Sequence, residues 1–165
     1  MTGVQTCALP IYQILAELRD EIAQLKQKGV QPGLTVILVG NDPASEIYTR
    51  NKVATCHSLG IASERIELPE ATTTEELLSR IHALNANPQV DGILVQLPLP
   101  KQIDTKKILM AVDPAKDVDG IHPVNMGNLV TGRAGLVACT PSGIMEILRR
   151  SKIPVEGAQI GRAHV

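Results

Sequence analysis

The chain has 165 residues, 16 Lys and Arg against 17 Asp and Glu, a formal net charge of −1, and 2 Tyr as its entire aromatic complement. Acids and bases are interspersed, which leaves no basic stripe for a phosphate backbone, and aromatic rings for base stacking are scarce, so no nucleic-acid partner is expected. No apolar run reaches the length of a membrane span, no charged segment followed by an apolar core opens the chain, and Cys7, Cys56 and Cys139 lack metal or disulfide spacing. Together these predict a protein of the reducing cytoplasm without a membrane partner.

The length suits one domain plus part of another. With no Phe and no Trp, the core must be built from Leu, Ile, Val and Ala, and such runs punctuated by Gly and Pro suit a parallel α/β sheet. The two ends stand apart. Ile160 to Val165 can be encoded by a nucleotide string whose complementary strand, read one frame over, spells Thr6 to Ile11. Residues 1–11 and 160–165 are therefore expected to be non-native, and the natural protein longer on both sides.

In chain order, Ile14, Leu18, Ile22 and Leu25 predict an amphipathic helix from Tyr12 to Lys28, ended by Gly29. Leu34 to Val39 reads as the first strand. Asp42 is placed to cap, and Pro43 to begin, a helix running to about Gly60. On that helix Ser45, Tyr48 and Lys52 share one line of side chains, and Ile47 and Ala54 form a second line expected to face the core. A short strand is expected at Arg65 to Leu68, followed by a helix opened by the capping box Thr73 to Glu76, with Leu77, Ile81 and Leu84 on one face.

Asp91 to Pro98 is the most strand-like segment, and Gln96 is the polar residue in its apolar run. A buried amide without partners costs roughly 1–3 kcal/mol, so Gln96 is either a structural hydrogen-bonder or a ligand-facing group at the strand's carboxyl end. Ile103 to Val112 reads as a short helix. Lys116 to Gly120 makes a charged turn whose two Asp residues are expected to bond local backbone rather than hold a metal, because further ligands are absent nearby. Asn125 to Leu129 reads as a loop or short helical turn; Thr140 is expected to cap, and Pro141 to begin, a last helix. Of the histidines, His122 alone lies close enough to Asp119 to be of interest. No segment matches a glycine-rich dinucleotide fingerprint. The alternation of strands and helices predicts a three-layer α/β/α domain with a mostly parallel sheet.

Four segments in order resemble the bifunctional methylenetetrahydrofolate dehydrogenase/methenyltetrahydrofolate cyclohydrolase family: Ala44-Ser45 with Tyr48 and Lys52 as a Y-x-x-x-K motif, the DGILVQLPLP run from Asp91 to Pro100, Lys116 to Gly120 as K-D-V-D-G, and Cys139 to Gly143 as C-T-P-x-G. The similarity spans Tyr12 to Gln159. It implies a tetrahydrofolate-binding catalytic domain over residues 12–120 and, over 121–159, the linker and first helix of a truncated Rossmann-like NADP domain. The family's first strand would precede Tyr12.

The resemblance also implies roles. Tyr48 would lie against the pterin or aminobenzoyl part of the folate, Asp119 would accept hydrogen bonds from the pterin, Lys52 would sit beside the one-carbon bridge with Gln96 orienting it, and Ser45 would join the substrate contacts. Hydrolysis of the methenyl cation requires water to attack a carbon between two nitrogens and a proton to move to the departing nitrogen, a relay that a desolvated lysine amine performs. The implied protein works in one-carbon metabolism supplying purine synthesis, is a homodimer, and uses NADP, which this chain alone is not expected to bind. The alternative is a folate-binding module without turnover.

Overall fold

The computed structural model describes residues 3–159 and 161, with side chains from Pro10 onward. Of the ends expected to be non-native, residues 1–2, 160 and 162–165 lie outside the described residues, and 3–11 form the opening turns of a helix rather than a strand. The elements run α1 (Gly3–Gln27), β1 (Gly33–Val39), α2 (Pro43–Leu59), β2 (Ala62–Leu68), α3 (Thr74–Ala86), β3 (Gly92–Val95), α4 (Thr105–Ala111), α5 (Pro123–Val130) and α6 (Cys139–Arg150).

Local chemistry sets most of these boundaries. The Asp42 carboxylate accepts from the Ser45 amide with Pro43 in the first turn, and Gly60 closes α2 in the left-handed conformation at φ 89. Thr73 and Glu76 form the reciprocal capping box of α3. Thr73→Ala is expected to lower the unfolding free energy by about 1 kcal/mol at unchanged denaturant slope; a urea midpoint equal to that of the parent chain would refute the cap's contribution.

Several expected bounds change: β2 begins at Ala62 rather than Arg65, and β3 spans Gly92–Val95, ending before Gln96. Asn125 to Leu129 belongs to a full helix, α5, capped by His122, whose Nδ1 accepts from the Val124 amide. The last helix begins at Cys139, one residue before Thr140, with Ala138 at its N-cap and no side-chain cap bond.

The three strands pair in parallel in the order β2-β1-β3, with β1 central, and Ile93 bridges on to Asp117. Successive side chains point to opposite sheet faces. Ile37, Val39, Ile93 and Val95 meet Leu77, Ile81 and Leu84 of α3 and Ile108 of α4 in the main core, all of it aliphatic. Val36, Leu38 and Leu94 lie on the alternate face, toward α2, which packs on β1 and β2. The result is three layers, helix on sheet on helix. α1 lies at the edge: Ile22 is buried, whereas Leu18 and Leu25 remain exposed. Its Glu17 carboxylate is gripped by Arg150 of α6 at 2.8 and 2.5 Å. Among the described residues no helix is long and apolar enough to cross a membrane.

Candidate active site

The cleft forms because α2 turns a mixed face toward the sheet. Thr49 is fully buried, its hydroxyl bonding the Ser45 carbonyl at 2.9 Å, which satisfies a polar group facing an apolar layer. Ser45 is buried beside it at 3 % exposure and does not line the cleft. Ile47 is half exposed and Ala54 exposed, so the second line of α2 faces solvent and the core-facing line is Ser45 and Thr49. With that face committed, Tyr48 and Lys52 stand on the flank of α2 over the β1–β3 half of the sheet.

There they border a cavity of about 640 Å³. Its floor is Leu34, Gly92 and Leu94, one wall is the Tyr48, Asn51, Lys52, Thr55 and Cys56 flank of α2, and the other is Val118, Asp119 and Cys139. Gln96 follows β3 directly; its amide N–H bonds the Ile37 carbonyl at 2.9 Å, and its Nε2 donates to the Leu97 carbonyl at 2.7 Å. That leaves Oε1 to accept from the Lys52 ammonium at 3.2 Å. The side chain of Gln96 is thus a structural hydrogen-bonder that reaches the cleft through Lys52, itself standing outside the lining.

Tyr48, Lys52, Gln96 and Asp119, spread over more than sixty residues of chain, gather here, while Ser45 does not join them. Burial raises the Asp119 carboxyl above the ordinary carboxylate range; the Lys52 charge opposes this and the Asp117 charge adds to it. The Cys139 thiol is likewise pushed up by burial and by Asp119, and its Sγ bonds the Val118 carbonyl at 3.0 Å.

Asp117 and His122 are engaged elsewhere. The Asp117 carboxylate is 5 % exposed and accepts from the His122 amide at 2.8 Å, and the His122 ring contacts the Met110 carbonyl. Asn51, Thr55 and Cys56 were absent from the sequence reading of the cleft. Their signal was available, since they lie three and four residues from Tyr48 and Lys52, the spacing that shares a helix face.

A dinucleotide would require a helix N-terminus with free amides after a strand. After β1 the Ser45 amide is taken by Asp42, and after β2 the Thr73 and Glu76 amides are taken within the capping box; α4 likewise has its Lys107 amide held by Asp104. Carboxylates at these turns oppose a diphosphate. The turns after β1 and β2 and the start of α4 therefore do not offer a diphosphate the free amides it requires.

One flank of α2, the Val118–Asp119 turn and the first residue of α6 border a single apolar-floored cleft on a parallel sheet, and the fold is that of a three-layer α/β domain. Residues 8–119 match the family model "Tetrahydrofolate dehydrogenase/cyclohydrolase, catalytic domain", and the chain belongs to that family. It is 57% identical to the "Bifunctional protein FolD" of Koribacter versatilis over 156 residues, covering 93% of this chain and 51% of the relative. The bifunctional methylenetetrahydrofolate dehydrogenase/cyclohydrolase structure from Campylobacter jejuni superposes with a TM-score of 0.88 at 44% identity, over 92% of this chain and 54% of that one. The Trypanosoma brucei enzyme, solved with NADP cofactor and inhibitor, gives 0.85 at 37% identity, over 91% and 52%. The chain spans about half the length of the curated relatives it matches.

Proposed function

We propose that this chain is the folate-binding half of a methylenetetrahydrofolate dehydrogenase/cyclohydrolase, and that its own residues perform the hydrolytic step, 5,10-methenyltetrahydrofolate to 10-formyltetrahydrofolate. The Lys52 ammonium, which lines the cavity with Asp119 and Tyr48 and is bonded by Gln96 beside it, carries this reading. In it, the pterin edge donates to the Asp119 carboxylate and the Tyr48 ring covers the ligand from the rim. Water forms a C–O bond to the methenyl carbon and loses one proton to solvent; as the carbon–N5 bond breaks and the formyl C=O forms, Lys52, oriented by Gln96, takes the remaining hydroxyl proton and delivers it to N5.

Oxidation of the methylene substrate needs NADP, which we assign to the part of the relatives that this chain does not cover. Residues 12–120 are in this reading the tetrahydrofolate domain and 121–159 the linker and first helix of the next, residues 1–11 and 160–165 being non-native. Homodimerisation and a cytoplasmic setting complete the proposal, the second supported by the free thiols of Cys56 and Cys139.

Incubation of the purified chain with 5,10-methenyltetrahydrofolate is expected to accelerate loss of the substrate's absorbance over that in buffer. A rate equal to the buffer rate together with saturable folate binding would instead establish a binding module without turnover.

A further inference from the structure

Asp119 lies in a turn tied down on every side. Lys116 sends its ammonium to the carbonyls of Leu84, Asn85 and Asn87 at 3.2, 2.8 and 2.8 Å, at the carboxyl end of α3 where a cation is favoured. The Lys116 carbonyl accepts from the Ile93 amide at 2.8 Å, joining the turn to β3. Asp117 Oδ2 takes both the His122 amide at 2.8 Å and the Asn125 Nδ2 at 3.0 Å, while Asn125 also bonds the Pro114 carbonyl at 2.9 Å. Gly120, at φ 63, lets the Val137–Ala138 backbone pass where a Cβ would stand 2.3 Å from the Val137 carbonyl carbon.

We propose that Lys116 and Asp117 are positioning residues for Asp119: anchored to α3 and α5 respectively, they hold the backbone so that the Asp119 carboxylate meets the ligand in the cavity. This rests on the folate reading above. Two adjacent ties running to different elements remove the rotation and translation that a single anchor would allow, and a carboxylate that must meet two donors at once is sensitive to both. Asp117, buried and bonded away from the cavity, positions Asp119 through the backbone they share, while its charge adds to the upward push on the Asp119 carboxyl.

The test is binding of 5-formyltetrahydrofolate to the chain by calorimetry, for Asp117→Ala, Asp117→Asn and Lys116→Met, each alone and combined with Asp119→Asn. Alone, Asp117→Ala and Lys116→Met are expected to weaken binding about tenfold, and Asp117→Asn, whose carbonyl can replace Oδ2 as acceptor, to stay near the parent affinity. In the Asp119→Asn background the same changes are expected to add almost nothing, because what they position is gone. Equal losses in both backgrounds would overturn the positioning role while sparing the folate reading. Parent-like binding by Asp119→Asn alone would overturn the folate reading and this inference with it. Should Asp117→Ala not melt cooperatively, Lys116→Met, anchored to a different helix, decides the matter.

Discussion

Lys52→Met is expected to lower methenyltetrahydrofolate hydrolysis by the chain by about 10²- to 10⁴-fold, the usual worth of a positioned proton carrier, while folate binding changes little. Methionine keeps the length of the side chain and nearly the same helix propensity, so α2 and its Thr49 packing are preserved. What disappears is the ammonium 3.2 Å from Gln96 Oε1. The partition between turnover and binding is the informative part. A variant that binds folate and hydrolyses at a near-parent rate would remove Lys52 from the reaction; one that loses binding and turnover together would make it a ligand contact.

Asp119→Asn is expected to weaken folate binding by roughly 2 kcal/mol, about thirtyfold, because hydrogen bonds to a charged partner are worth more than neutral ones. The same change is expected to raise the melting temperature at neutral pH. Burial raises the folded-state pKa of Asp119 above its unfolded value, so the folded protein binds this proton more tightly and ionisation works against folding. That penalty is absent below the ordinary carboxyl value of 3.8, grows as pH rises from there to the raised folded value, and is complete above it. The variant should therefore out-melt the parent at pH 7 and converge with it in acid. An Asp119→Asn protein that melts lower than the parent at neutral pH would show the carboxylate to be a net stabiliser and sink this account. Loss of binding with a gain of stability is what a group held for a ligand produces.

The two predictions rest on side chains whose legibility in the sequence differed. Tyr48 and Lys52 were readable as neighbours, four residues apart on a helix that Asp42 and Pro43 start and Gly60 stops. Their facing the cleft was not. α2 has a weak apolar pattern, and periodicity pointed to the Ile47 and Ala54 line as the packing face, whereas Ser45 and Thr49 turn inward and Ile47 outward. The decision came from the Thr49 hydroxyl, which bonds its own helix and can therefore be buried at little cost. Asp117 and Asp119 were likewise one charged turn in the sequence; their division into a buried anchor and a cleft-lining carboxylate depends on His122 and Asn125 arriving from α5.

By itself the sequence determined whatever neighbours along the chain can decide: helix caps, the aliphatic strands β1 and β3, the parallel α/β class, and four motifs that resemble one family. These are contacts within a few residues, where the residue types alone set the energy. Only the tertiary structure decided that Lys52 meets Gln96 across 44 residues, that Cys139 closes the wall beside Asp119, and that Ser45 turns away from the cleft. Such contacts depend on which face each helix commits to the sheet, and that choice is made by the packing of the whole layer rather than by any segment alone.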